Sequence, residues 1–327
     1  MSQCDLSVVI VSFNTREVLR RCLNTLAGET KQLSVEVLVV DNASRDGSVE
    51  MVANDFPQVR LFQPGNNLGF AAANNLAFQA AQGKYLVLLN SDAFLLPGAL
   101  ERATEHMERH PSTGLAGGRL IGEDGSWQPS ARQFPSPLND FMSFSGLAHR
   151  FRKSRFWGRA DRTWADPLEA ADVDWVPGAF SIVRASVLDQ VGGFDNSFFL
   201  YYEEVDLCRR IKAAGYAVRY LPDVVVVHLG GESSKSMENA IRSRMGAQLA
   251  LWRLRSSYLY YRKHHGGAAW RIMALESGWH WMRFLRNRVS RRPARREKAA
   301  ESQTMAALAR QAWRETQGGR YSPPKPW

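Results

Sequence analysis

Two short stretches of this sequence combine residue types that could do chemistry. The first is Asn90-Ser91-Asp92, three small polar residues that end the apolar run 85–89. The oxygens of Asn90 and Asp92 are hard donors, suited to a divalent cation, Mg2+ or Mn2+, that also holds phosphate. Mg2+ takes one or two carboxylates and fills its other positions with waters or substrate oxygens. A plain turn after a core strand would account for the same three residues. The second stretch is Glu203-Glu204-Val205-Asp206, three carboxylates within four positions, directly after Phe198-Phe199-Leu200-Tyr201-Tyr202. Like charges this close repel, and a helix N-terminus offsets part of the cost. Helix electrostatics alone would explain Glu203 or Asp206. The aromatic run before them would also desolvate a carboxylate and raise its pKa toward the range useful to a general base.

Such residues need elements to hold them. The run 85–89 reads as a strand buried on both faces, and ligands of open α/β sheets sit beyond the carboxyl ends of such strands. Another apolar strand, 6–11, stops at Ser12-Phe13-Asn14 and is followed by a helix from about Arg16. No glycine-rich turn joins the two, which excludes the dinucleotide fingerprint and the phosphate-binding P-loop. A second strand, 35–40, ends in Asp41-Asn42-Ala43-Ser44-Arg45-Asp46-Gly47-Ser48. Asp41 could accept hydrogen bonds from a uracil or thymine ring or from a ribose, whereas Asp46 and Ser48 read as turn and helix-cap residues. A third strand near 59–62 leads through Gly65-Asn66-Asn67-Leu68-Gly69-Phe70 into a small-residue helix, 71–81, carrying Asn74 and Asn75. The order βαβαβαβ implies a parallel, helix-covered sheet.

After a helix near 97–110 and a strand near 115–121, residues 122–172 are rich in Pro, Ser, Arg and aromatics without a clean period. A stretch this long reads as a mobile lid on the acceptor side or as a surface excursion. Trp175, with Gly178 and Ala179, suits the apolar face of a pyranose, or Trp175 is a core residue. The strand 224–227 ends in His228 before a glycine pair, where the site edge of the sheet should lie.

At 327 residues, 45% hydrophobic and 23% charged, the chain has ample material for a core. Its three cysteines, Cys4, Cys22 and Cys208, lack metal-type spacing and point to a reducing compartment. No secretory leader and no membrane-length apolar run is present, so a cytoplasmic protein is expected. The net charge of +10 is uneven: from Ala240 onward 19 Lys and Arg face 4 Asp and Glu, leaving 23 against 28 before it. That basic part interleaves arginines with Trp252, Tyr258, Tyr260, Tyr261, Trp270, Trp279, Trp281 and Phe284. It suits an anionic membrane surface, packing on the body or a homodimer contact, and less well nucleic acid.

Four segments together, V-S-F-N, V-D-N-A-S-R-D-G-S, N-N-L-G-F-A-A-A-N-N and L-L-N-S-D, resemble the nucleotide-sugar half of family 2 glycosyltransferases with the GT-A fold. The resemblance implies an α/β fold with a mixed, mostly parallel sheet, helices on both faces, a Rossmann-like nucleotide half and here a C-terminal helical extension. It assigns Ser12, Phe13, Asn14, Asp41, Asn42, Ser44, Asn75, Asn90, Ser91 and Asp92 to the nucleotide sugar. Phe13 and Asp41 would hold the nucleoside, Asn75 would line the diphosphate side, and N-S-D would stand in place of the metal-binding D-x-D. Asn90 is the departure from that motif; it leaves Asp92 as principal metal ligand, with His228 joining the metal or the diphosphate. The segment G-G-F-D to L-C-R-R resembles rhamnosyltransferase-like members, whose second acid takes the acceptor proton. That maps the base onto Glu204, with Glu203 and Asp206 as neighbours, although the extra methylene leaves Glu203 open. Implied overall are a catalytic unit 1–235 (nucleotide-sugar half 1–121, acceptor half 122–235), a helical extension 236–316 and a disordered tail 317–327. The implied reaction is inverting transfer from dTDP-L-rhamnose, or from a UDP-hexose, to a saccharide or lipid-linked acceptor of cell-surface polysaccharide, with the enzyme peripheral on the inner membrane face. The rival from another class is a nucleic-acid-binding scaffold acting through the basic part.

Overall fold

The computed structural model describes residues 4–29, 33–230 and 244–324. Four parallel strands form one side of the sheet: β1 (Leu6–Ser12), β2 (Val35–Asp41), β3 (Arg60–Phe62) and β4 (Tyr85–Asn90). Between them lie α1 (Arg16–Glu29), α2 (Ser48–Asp55) and α3 (Phe70–Ala80). Parallel neighbours cannot be joined by a tight turn, so each connection crosses over as a helix. Helix α1 buries Leu19, Cys22, Leu23 and Leu26, the side its three- and four-residue spacing predicts. The register places Ser12 opposite Asp41 and Val11 opposite Asn90, so three strands release their polar residues along one edge.

The rest of the sheet comprises β5 (Ala93–Leu95), β6 (Thr113–Ile121), β7 (Trp127–Gln128), β8 (Ala171–Asp172), β9 (Phe180–Arg184) and β10 (Ala217–His228). The strand order is β3-β2-β1-β4-β9-β6-β10-β5, with β7 on β6 and β8 on β10. Strands β6 and β10 run with the first four, and β9 runs against β4 and β6. Because β9 is antiparallel to β4, its first residue, Phe180, pairs with Leu89. Residues 174–179 therefore enter the sheet where β4 leaves it. The helices of this part are α4 (Ala99–Arg109), α5 (Pro137–Phe144), α6 (Leu147–Arg150), α7 (Ala185–Val191) and α8 (Glu203–Ala213). Residues 122–172 thus carry β7, α5, α6 and β8, and Tyr220 anchors them by donating to the Pro167 carbonyl (2.7 Å).

Three helices follow: α9 (Arg244–His265), α10 (Ala269–Arg288) and α11 (Pro293–Glu315). Trp252, Tyr258, Tyr260 and Tyr261 of α9 are buried, in one core with Phe198 and Val205 or packed beside it. Burial of a large apolar side chain stabilises by about 1.5–3 kcal/mol, so these aromatics dock the extension on the body. The boundary at 235/236 lies outside the described residues. Within the expected tail, residues 317–324 are described, and Ser322 Oγ donates to the Ser197 carbonyl (2.6 Å). Gly319, with φ +79°, passes so close to the Tyr258 carbonyl that a Cβ would stand 2.2 Å from its oxygen.

Gly69, at the N-cap of α3, brings that helix against residue 199, just before α8. Its φ is +81°, and a Cβ there would lie 2.4 Å from the Phe199 carbonyl oxygen, which accepts from the Phe70 N–H at 2.8 Å. Gly69→Ala should lower unfolding free energy by about 2 kcal/mol or more in urea titrations, through left-handed strain and the clash together. A change below about 0.5 kcal/mol would show that this approach is not required.

Candidate active site

The polar edge is built by stitching the loop after β1 to the loop after β2. Asn14 sits at φ 53°, its N–H donates to Ser44 Oγ (2.8 Å), and its Oδ1 accepts from the Arg45 N–H (2.8 Å). The Ser44 N–H donates to Asp41 Oδ1 (2.8 Å), while the other oxygen, Oδ2, is buried without a partner among the described residues. A buried acceptor left open is costly unless a ligand donates to it. Asp46 takes the Arg16 N–H (2.8 Å) and both the N–H and the hydroxyl of Ser48, the capping role read from its position. The Phe13 ring is exposed beside this lip. Ser12 Oγ lies 3.0 Å from Thr15 Oγ1, which donates to Ser91 Oγ (3.2 Å), linking the first lip to the N-S-D turn.

Strand β5 folds back along β10 and pairs Ala93 with His228, which brings Asp92 beside the imidazole. His228 Nε2 lies 3.4 Å from Asp92 Oδ1, and the Leu229 N–H donates to the Asp92 carbonyl (3.0 Å). On its other side, His228 Nδ1 donates to Gln128 Oε1 (3.0 Å), and Gln128 Nε2 donates to the His228 carbonyl (2.9 Å). A ring fixed through Nδ1 turns Nε2 toward Asp92, the arrangement second partners give to metal-bound histidines. Among the described residues no group of three or more His, Cys, Asp or Glu could hold a metal ion. Asp92 and His228 fit a hard divalent cation that takes its remaining donors from diphosphate and water.

A second concavity, of about 300 Å3, is lined by Arg132, Trp175, Tyr201, Tyr202, Glu204 and Arg253, among others. That volume lies at the small end for ligand sites and suits a sugar ring. Trp175 is held by its Nε1 donating to the Gln133 carbonyl (2.9 Å), and Arg132 lies over its ring at 5.0 Å. From Trp175 the chain runs to Ala179, whose carbonyl accepts from the Asn90 N–H at 3.1 Å. The cavity and the N-S-D turn are thus the two ends of residues 175–179.

Glu203 and Glu204 begin α8 immediately after Tyr201 and Tyr202, which both take left-handed φ values of 70° and 71°. Burial pushes both carboxyls above the usual range, Glu203 well above it with Glu204 adding repulsion, while Arg132 pulls Glu204 back. One oxygen of each, Oε2, is buried without a hydrogen-bond partner among the described residues. Asp206 differs. Although burial works to raise it, hydrogen bonds from His264 and Lys263, together with Arg210, hold it at about 2.

The structure therefore gathers Ser12, Phe13, Asn14, Asp41, Ser44, Asn90, Ser91, Asp92 and His228 along one edge, and Glu204 and Trp175 around one cavity. Gly178 lies against the Phe70 ring and Ala179 is buried, so both serve as backbone. Three expected residues are occupied elsewhere. Asn42 binds the Gly69 carbonyl and the Leu68 N–H (both 3.2 Å). Asn75 brackets Phe194 through its carbonyl and N–H (both 2.8 Å), away from the lip. Asp206 is enclosed by Arg210, Lys263 and His264 and does not line the cavity. Sequence reasoning missed Thr15, Gln128, Arg132 and Arg253; only Thr15, next to the V-S-F-N stretch, carried any local signal.

A mixed sheet with a nucleotide-type lip, a paired acid and imidazole at the strand ends and an adjoining sugar-sized cavity defines a GT-A glycosyltransferase. Glycosyl transferase family 2 matches residues 7–190, and the chain belongs to that family. The N-acetylglucosaminyl-diphospho-decaprenol L-rhamnosyltransferase of Mycobacterium tuberculosis is 31% identical over 275 residues, 80% of this chain and 85% of that protein. Rhamnosyltransferase WbbL of Escherichia coli is 26% identical over 266 residues, covering 77% and 91%. In fold the chain is similar to the mannosyltransferase PcManGT from Pyrobaculum calidifontis, solved with GDP-Man and Mn2+. That likeness has a TM-score of 0.56 at 17% identity and covers 95% of this chain and 88% of that one.

Asp206→Asn should destabilise the fold by about 2–3 kcal/mol, the worth of a carboxyl held roughly two pH units below its unfolded value, while folded protein keeps its nucleotide affinity. The folded carboxyl, at about 2, lies below the unfolded value near 3.9, so its contribution is complete above about 4 and fades as pH falls. Unfolding curves of the two proteins should converge toward pH 2, and a gap that stays constant with pH would exclude this origin.

Proposed function

We propose that this chain is an inverting, metal-dependent rhamnosyltransferase, moving L-rhamnose from dTDP-L-rhamnose to a hydroxyl of a saccharide carried on a lipid diphosphate, on the cytoplasmic face of the membrane. The observation that carries this reading is the desolvated Glu204 carboxylate in a sugar-sized cavity that residues 175–179 connect to the N-S-D turn. Two rhamnosyltransferase relatives support the donor sugar, and the lipid diphosphate in the mycobacterial relative's name supports the acceptor class. A UDP-hexose is the alternative donor, since the open Asp41 oxygen would serve either pyrimidine or a ribose equally.

In this reading Asp41 Oδ2 accepts a donor group of the nucleoside, whose ring lies beside Phe13. Asp92 and His228 are the residues that would hold a Mg2+ or Mn2+, and such an ion would supply positive charge to stabilise the leaving diphosphate. The acceptor sugar rests on Trp175. Glu203 and Glu204 cannot readily both ionise in so little water; Arg132 favours the anion on Glu204, and Glu203 keeps its proton. Glu204 then takes the proton of the acceptor hydroxyl as that oxygen attacks the anomeric carbon opposite the departing dTDP. One such displacement inverts the configuration.

Calorimetric titration should show dTDP binding that requires Mg2+ or Mn2+, vanishes with chelator and is lost in Asp92→Ala, with UDP and GDP weaker. Absence of binding by any nucleotide would end the reading. Glu204→Gln should leave dTDP affinity intact and lower kcat by roughly 10²–10⁴-fold; if Glu203→Gln does so instead, the base is Glu203. Because the base must be ionised, kcat should rise with pH through the raised pKa of the pair.

A further inference from the structure

Helix α10 reverses the usual arrangement of a surface helix. Its buried residues include Glu276, Ser277, His280 and Asn287. Positions 270, 274, 278, 281 and 285, with the C-cap residue 289, recur every three or four residues and share one face. They are Trp, Ala, Gly, Trp, Leu and Val, and all are exposed. Trp270 is 53% exposed, Leu285 49% and Val289 79%. A contiguous apolar face in water marks an interaction surface.

The chemistry around the stripe is cationic. Arg271, Arg286 and Arg288 flank it, Arg291 and Arg292 follow it, and all five are exposed. Arg310 of α11 lies over the Trp281 ring at 5.4 Å. Within residues 269–296 the sole acidic residue is Glu276, which is buried and paired with Arg253 at 2.7 Å. Behind the stripe, α5 packs on the inner side of α10: Phe141 meets Trp279 edge-on at 5.6 Å and Phe144 lies 6.2 Å from the buried His280. Beyond α5 and α6 comes a second exposed set, Arg150, Phe151, Arg152, Lys153, Arg155 and Phe156, in a stretch, 141–160, without acidic residues. The same α5 lines the cavity of Glu204 through Asn139, Asp140 and Ser143.

We propose that the outer face of α10, with the lip at 150–156, docks on an anionic lipid bilayer, its apolar stripe lying in the interface plane and its arginines meeting lipid phosphates. Interfacial helices combine an apolar face with a basic rim in this way. A second copy of the chain would press two arginine rims together with no acidic partner on that face, and a nucleic acid would leave the Trp and Leu side chains in water. Docked so, α10 and then α5 lead from the membrane to the acceptor cavity. The inference deepens the reading above and rests on it for the supply of a lipid-linked acceptor.

Full-length protein should sediment with vesicles of phosphatidylcholine and phosphatidylglycerol, and roughly tenfold less with phosphatidylcholine alone. Trp281→Asp combined with Leu285→Asp should lower the bound fraction by roughly tenfold, with circular dichroism and dTDP titration unchanged. Val289→Asp, at the exposed helix end, keeps the test readable if the double variant does not fold. Equal binding to both vesicle types, no binding to either, or binding that survives these variants would overturn the proposal. So would a stable dimer in sedimentation velocity that the same variants dissociate. Vesicle binding without nucleotide binding would leave this inference standing and remove the transferase reading; the opposite result would do the reverse.

Discussion

The buried carboxylate of Asp206 fixes the relation between helix α8 and everything C-terminal to it. Taking such a group out of water costs several kcal/mol and must be balanced by cations held in place. Arg210 supplies one at 2.8 Å from its own helix and Lys263 of α9 a second at 2.8 Å, and His264 of α9 adds a contact through Nε2 at 2.7 Å. Without α9 docked, Asp206 would be a charge with a single partner. Lys263 also pairs with Asp195 (2.7 Å), and Arg210 donates to the carbonyls of Val191, Gly192 and Gly193. One cluster therefore ties the loop before the site, the helix that opens with Glu203 and Glu204, and the C-terminal helices.

That anchorage allows the chain to hold an unfavourable backbone where the carboxylates begin. A left-handed residue other than glycine costs about 1–3 kcal/mol, and two stand in sequence at Tyr201 and Tyr202. Helix α9 holds them: Ser256 Oγ donates to the Leu200 carbonyl (2.7 Å), and the Tyr202 and Tyr260 rings lie 5.4 Å apart. First-turn carboxylates of a helix usually face water, where the dipole stabilises them. Entering α8 through a left-handed tyrosine goes with the opposite result, two acids with buried, open oxygens.

How much of this was legible in the sequence follows from which residues depend on neighbours close in the chain. Buried parallel strands read as apolar runs, and parallel register then sets Ser12, Asp41 and Asn90 side by side without further information. Asp46 could be read as a turn residue because Ser48 is two positions away, whereas its bond to the Arg16 N–H, 30 residues back, could not. Asn42 and Asn75 show the limit: residue type gives hydrogen-bonding capacity, and only the fold decides whether a ligand or a backbone uses it. Gln128 was invisible because its partner is 100 residues away and it sits on a two-residue strand in a stretch without period. Composition likewise joined two different things in the basic extension. The aromatics at 252–261 point inward and close the acceptor half, and those at 270 and 281 point outward. Counting charges and rings cannot separate the two; only the face each helix buries can.

The N-S-D turn shows how a departure from a motif can be balanced by distant residues. A second carboxylate at position 90 would add negative charge at the mouth of the site, whereas Asn90 leaves a single acid, Asp92, beside the His228 ring. On the proposed reading, such a pair attracts a divalent cation weakly before the nucleotide arrives, since hard cations gain most from charged oxygens. The diphosphate would then supply the missing charge, so that on this reading cation and donor would be taken up together. Gln128 makes this workable by fixing the His228 ring in advance, so that the weaker ligand set needs no reorganisation when the donor binds.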